Sequence, residues 1–133
     1  VVANYKMRNK LDNITRKRIK NSIMLDKLLS KNKNITLVKR FKHLKEVFHL
    51  YHINVKKRDK LKKYLIKNNI DAKVHYPIPI HLQKAAKFLK YKKGDFPVAE
   101  KLANTSLSLP VHEFIKKNHI KHVVNTIEKF YKN

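Results

Sequence analysis

Val47-Phe48-His49-Leu50-Tyr51-His52-Ile53-Asn54-Val55 leads, after Lys56-Lys57, into Arg58-Asp59-Lys60-Leu61-Lys62-Lys63-Tyr64-Leu65-Ile66-Lys67-Asn68, and Asn69 then passes to Ile70-Asp71-Ala72-Lys73-Val74-His75-Tyr76. In the first of these pieces the apolar Val47, Tyr51, Ile53 and Val55 fall on or near one side of a half-buried strand. The second returns to helical period through Leu61, Tyr64 and Leu65. It stops at Asn68-Asn69, where asparagine takes the left-handed conformation more often filled by glycine. The third reads as a strand over 70–76, ended by Pro77 and Pro79, which donate no ladder bond and restrict the residues before them. The order is strand, helix, strand.

Working outward, 35–38 is a short β-favouring run. Upstream of it, Met7, Leu11, Ile14, Leu25, Leu28 and Leu29 recur at spacings of three and four, which predicts a long amphipathic helix over 3–30. Downstream, 83–89 predicts a short helix. Gly94-Asp95 is a turn signal opening a further helix through Leu102, with Asp95 as candidate N-cap and Pro97 in the first turn. Residues 106–111 read as a short strand or extended segment ending at Pro110, and Ile120, Val123, Ile127 and Phe130 mark a terminal helix. The pattern predicts one compact α/β unit in which helices pack on one face of a small sheet.

The 133 residues suffice for one domain with a modest core, and 42% hydrophobic content argues for folding. A net charge of +24 would alone point to a polyanion. Arginine, however, occurs only at Arg8, Arg16, Arg18, Arg40 and Arg58, and lysine is spread along the whole chain beside abundant asparagine and isoleucine. That composition follows from AT-rich coding. It lacks the clustered arginine used for bidentate phosphate and guanine contacts, so no specific nucleic acid is expected. Without cysteine, disulfides and thiolate chemistry are excluded. No apolar run approaches the roughly 18 residues that span a bilayer, and no signal-peptide core opens the chain, so a cytoplasmic protein without membrane contact is expected. The start at Val1, running into helical pattern without a cap, predicts a piece of something longer.

The richest chemistry lies in His75-Tyr76-Pro77-Ile78-Pro79-Ile80-His81-Leu82-Gln83. The prolines fix the backbone after a strand end, presenting His75, Tyr76 and His81 in one geometry with donors, acceptors and groups titrating near neutrality. On the residues alone, rigid packing of a strand exit explains the stretch as well as a binding site does. His43, His49, His52, His112, His119 and His122 invite a metal reading, but no carboxylate or cysteine completes a ligand set at recognisable spacing, and no metal is expected. Tyr5, Tyr51, Tyr64 and Phe88 fall on apolar positions and are expected in the core rather than stacked on bases.

The HYPxPxH turn, the GDFPVAE segment at 94–100, the SLP segment at 108–110 and, more loosely, Leu11-Asp12 with Lys17-Arg18 and Asn21 occur together in one order. In that combination the chain resembles the DegT/StrS sugar aminotransferases, pyridoxal phosphate (PLP) enzymes of the aspartate aminotransferase superfamily. The resemblance implies the small C-terminal domain of a fold type I PLP transferase: a small, mainly antiparallel sheet packed by helices. A long connecting helix at 1–33 precedes the domain at 34–133. It also implies a homodimer whose substrates are a nucleotide-linked keto sugar and an amino donor, glutamate. His75, Tyr76 and His81 carry over as substrate-pocket residues. The Schiff-base lysine and most PLP contacts belong upstream, so no catalytic or cofactor-binding residue carries over and the piece alone is expected to be inactive. A basic nucleic-acid-binding domain and a non-catalytic dimerisation module are the alternatives.

Overall fold

The computed structural model describes residues 10–132. In chain order they form α1 (Leu11–Leu29), β1 (Ile35–Leu37), β2 (Tyr51–Val55), α2 (Arg58–Lys67), two 3₁₀ stretches (Ile80–Leu82 and Lys84–Leu89), α3 (Pro97–Thr105), β3 (Ser106–Leu109) and α4 (Lys117–Lys132). The three strands make one antiparallel sheet in the order β1-β2-β3, so the small antiparallel sheet packed by helices stands. The first turns of the helix expected over 3–30, with Tyr5, Met7 and Arg8, lie outside the described residues.

Register explains the two faces of the sheet. Ile35 sits opposite Val55 and Leu37 opposite Ile53, while Tyr51 sits opposite Leu109 and Ile53 opposite Leu107. These side chains therefore share one face, and with Leu25 and Leu29 of α1, Leu61 and Leu65 of α2, and Ile120, Val123, Val124 and Ile127 of α4 they form the core. The alternate positions His52, Asn54, Ser106 and Ser108 occupy the other face. There the expected one-sided packing is corrected: α3, with buried Ala103, stands near His52 and Asn54 rather than with the other helices.

Three local readings also change. The strand expected from Val47 begins only at Tyr51, because 38–50 is an irregular excursion in which Val38, Phe41, Leu44 and Val47 are exposed. The strand expected over 70–76 shrinks to a single bridge between Lys73 and Ser108, made by a bond in each direction of 3.1 and 2.8 Å. The helix expected over 83–89 is 3₁₀, burying only Ala86, so Phe88 is 77% exposed and not a core residue. Tyr51 is fully buried, and Tyr64 packs against Phe130 with ring centroids 5.5 Å apart.

The punctuation follows the expected chemistry more closely. Asn69 closes α2 with φ of 60°, and Pro97 occupies the first turn of α3. Asp95 does not cap that helix; its carboxylate accepts from the Lys92 amide at 2.7 Å and so holds the turn around Gly94, whose φ is 101°.

Candidate functional site

The proline-framed turn packs over the second face of the sheet. Between them lies an open cavity of about 400 Å³ whose floor is His52, Asn54 and Ser106 and whose walls include His75, Tyr76 and Gln83 from the turn. Ala99, Leu102 and Ala103 of α3 close another side. No lysine, arginine or carboxylate lines this cavity among the described residues, although the chain carries +24. Its lining is imidazole, amide, phenol and hydroxyl groups set among apolar walls. Such a surface suits an uncharged, hydroxyl-bearing ring, which gains directional hydrogen bonds without stripping water from an ion.

His75 is half-buried, and its Nδ1 lies 2.8 Å from the Ser108 hydroxyl. The same hydroxyl lies 3.0 Å from Nδ1 of His52, and the two imidazoles meet edge to face at 6.2 Å. Burial holds His52 below the ordinary histidine value, with repulsion from His75 acting the same way. Tyr76 is 74% exposed at the cavity mouth, following a cis peptide after His75.

His81 stands apart from these two. It is buried and does not line the cavity; its Nε2 lies 3.1 Å from a Glu100 carboxylate oxygen, and its ring lies 4.8 Å from that of Phe96. The same oxygen accepts from the Gly94 amide at 2.7 Å. That amide, helped by His81, holds Glu100 below the usual carboxylate range. The three residues expected to act together thus divide into two at the cavity and one that ties the turn to α3.

His52, Asn54, Ser106 and Ser108 escaped the reading of the sequence as site residues. Their signal was the polar half of each alternation, His52 and Asn54 in one strand and Ser106 and Ser108 in the other, on the face opposite the apolar positions. His49, His112, His119 and His122 border a second groove of about 720 Å³ with Arg18, which Ser108 also lines and which shares His75 with the cavity. His43 is exposed on the excursion before β2. Among the described residues no histidine, cysteine or carboxylate group of three or more is arranged for a metal, and no helix is long and apolar enough to cross a membrane.

The residues described do not fit a covalently held PLP by themselves. A Schiff-base lysine is activated in a desolvated pocket, and none of the described lysines is buried.

A model of the DegT/DnrJ/EryC1/StrS aminotransferase family matches residues 2–128. A pleiotropic regulatory protein of Geobacillus stearothermophilus is 42% identical over 87 residues, covering 65% of this chain and 23% of that protein. A dTDP-3-amino-3,6-dideoxy-alpha-D-galactopyranose transaminase of Aneurinibacillus thermoaerophilus is 32% identical over 84 residues, covering 63% of this chain and 23% of its own length. The crystal structure of DesV from S. venezuelae in complex with a ketimine intermediate superposes with a TM-score of 0.89 at 26% identity, covering 94% of this chain and 34% of that one. The chain therefore spans about a quarter of the curated relatives' length, 23% in both cases, and about a third of the solved structure, 34%.

Proposed function

The chain belongs to the DegT/DnrJ/EryC1/StrS aminotransferase family, and on that premise we propose that it is the C-terminal portion of a PLP-dependent enzyme moving an amino group from glutamate to a nucleotide-linked keto sugar. The segment 1–33, whose described part holds α1 over Leu11–Leu29, serves as the connection and 34–133 as the small domain. The complete enzyme works as a homodimer in the cytoplasm, and the lysine that engages PLP comes from the portion this chain does not contain. PLP, when bound there, supplies the electron sink for transamination.

The observation that carries this reading is the uncharged cavity beneath the HYPxPxH turn of a chain that otherwise bristles with lysine. His75 and Tyr76 contribute directional hydrogen bonds to the hydroxyls of the keto sugar, while the diphosphate of the nucleotide lies outside this cavity. His81, seated on Glu100 and Phe96, belongs to the site as the residue that sets where the turn stands.

The test uses the complete PLP-loaded enzyme with glutamate and a nucleotide-linked keto hexose. Amino sugar should form, and Tyr76→Phe, which removes one hydrogen bond to the sugar, should raise KM severalfold with PLP loading unchanged, while His81→Ala should raise KM by releasing the turn from Glu100. Removing one hydrogen bond to a neutral group costs about 0.5–1.5 kcal/mol. A loaded enzyme that aminates no such sugar overturns the reading, and unchanged kinetics with lowered thermal stability would make the turn purely structural. The chain alone, titrated with PLP, should show no saturable absorbance band of lysine-bound cofactor.

A further inference from the structure

We propose that Ser108 is a positioning residue that couples the tautomers of His52 and His75, so that one ring presents a bare Nε2 and the other an Nε2–H at the cavity. Ser108 is seated for this by three independent constraints. It is the ladder partner of His52, its backbone exchanges two hydrogen bonds with Lys73, and its side chain is buried. Its hydroxyl oxygen consequently stands 2.8 Å from Nδ1 of His75 and 3.0 Å from Nδ1 of His52.

The proton count then limits the choices. A serine hydroxyl has one proton to donate, and each neutral imidazole has one N–H. If both rings carried their proton on Nε2, both Nδ1 atoms would need to accept, and one would be left without a donor. If both carried it on Nδ1, the hydroxyl would accept twice and its own proton would be stranded in a buried site, which is the costly outcome for a polar group. The remaining arrangements satisfy every atom: one ring donates from Nδ1 to the hydroxyl, and the hydroxyl donates to Nδ1 of the other. The first ring is then left with a lone pair on Nε2 and the second with a hydrogen there.

Neither Nε2 has a hydrogen-bond partner among the described residues, and both rings line the cavity. A ligand that reaches both Nε2 atoms meets one acceptor and one donor. That pairing fits a keto oxygen, which only accepts, beside a hydroxyl that donates. This last step rests on the reading of the cavity as a substrate site; the tautomer coupling does not.

The experiment is a long-range proton–nitrogen correlation spectrum of the ¹⁵N-labelled chain, recorded near pH 8.5, about two units above the ordinary histidine value of roughly 6.5. The wild-type chain should show one of the two rings protonated at Nδ1 and the other at Nε2. Ser108→Ala should release both to the mixed population of a free imidazole, and Ser108→Thr, which keeps the hydroxyl, should restore the split. Two rings with the same protonated nitrogen in the wild-type chain overturn the proposal without any variant. So does an unchanged split in a folded Ser108→Ala chain. If the split is present but the complete enzyme aminates no keto sugar, the substrate reading fails and the coupling stands.

Discussion

The Tyr51 hydroxyl donates to a carboxylate oxygen of Asp26 over 2.7 Å, joining the fully buried inner face of β2 to α1. The same carboxylate receives Arg40, whose guanidinium lies 4.9 Å from the Phe48 ring and reaches Glu46 at 2.7 Å. One aspartate thus anchors both ends of the irregular excursion between β1 and β2. Burial, reinforced by the bond to Asp26, raises the Tyr51 phenol above its ordinary value, so it remains a donor throughout the working range. Tyr51→Phe should lower unfolding free energy by about 1.5–3 kcal/mol, the range for a hydrogen bond to a charged group. Urea titration followed by circular dichroism measures it, and a loss under about 0.5 kcal/mol would mean that the excursion holds without this bond.

Ile53 lies at the centre of the middle strand, fully buried and flanked by Leu37 and Leu107. Ile53→Ala should cost about 2–5 kcal/mol, since neighbours held by the ladder cannot collapse into the space. Val98, 71% exposed on α3, provides the contrast: Val98→Ala should stay within about 0.5 kcal/mol. Equal effects at the two positions in parallel denaturation curves would contradict the described core.

Gly94 is the single glycine of the chain, and its φ of 101° is a conformation that side-chain-bearing residues avoid. A Cβ there would meet nothing within 4 Å, so the strain of Gly94→Ala is conformational rather than steric contact with neighbours. The expected cost is about 1–2 kcal/mol. Because the Gly94 amide holds Glu100, the variant should also broaden the His81 ring signals in NMR spectra. A variant as stable as the wild type would show that the turn relaxes freely.

Acid should weaken the fold in two stages. His52 has a folded value below its ordinary one, so the unfolded chain binds a proton first as pH falls; its contribution is full above roughly pH 6.5 and declines below that. Glu100 is also held low, so its contribution is present above roughly pH 4.3 and is lost as pH falls through its folded value. The stability difference between wild type and His52→Asn should therefore begin to change as pH falls below roughly 6.5, and that between wild type and Glu100→Gln only below about pH 4.5. Differences that stay flat over both windows in thermal melts would refute the assignment.

The sequence by itself determined the element types wherever period and punctuation agreed. The 3.6-residue pattern of Leu25 and Leu29, of Leu61 and Leu65, and of Ile120, Val123 and Ile127 placed three core helices, and the alternation of Tyr51, Ile53 and Val55 placed the central strand. Asn69 and Pro97 marked boundaries through backbone preferences that need no partner. The HYPxPxH turn was legible as a place where rigid backbone meets hydrogen-bonding side chains. What only the tertiary structure decided was which neighbour each polar group meets, because that depends on strand register and on contacts between residues far apart in the chain. Pairing of His52 with Ser108, and of Ser108 with Lys73, brings two imidazoles to one hydroxyl across separations of 56 and 33 positions. His81 and Glu100, 19 apart, find each other only when α3 folds back over the turn. The strand expected over 70–76 failed for the same reason in reverse: β propensity is local, but a strand exists only where a partner edge supplies donors and acceptors, and beyond Lys73 none does.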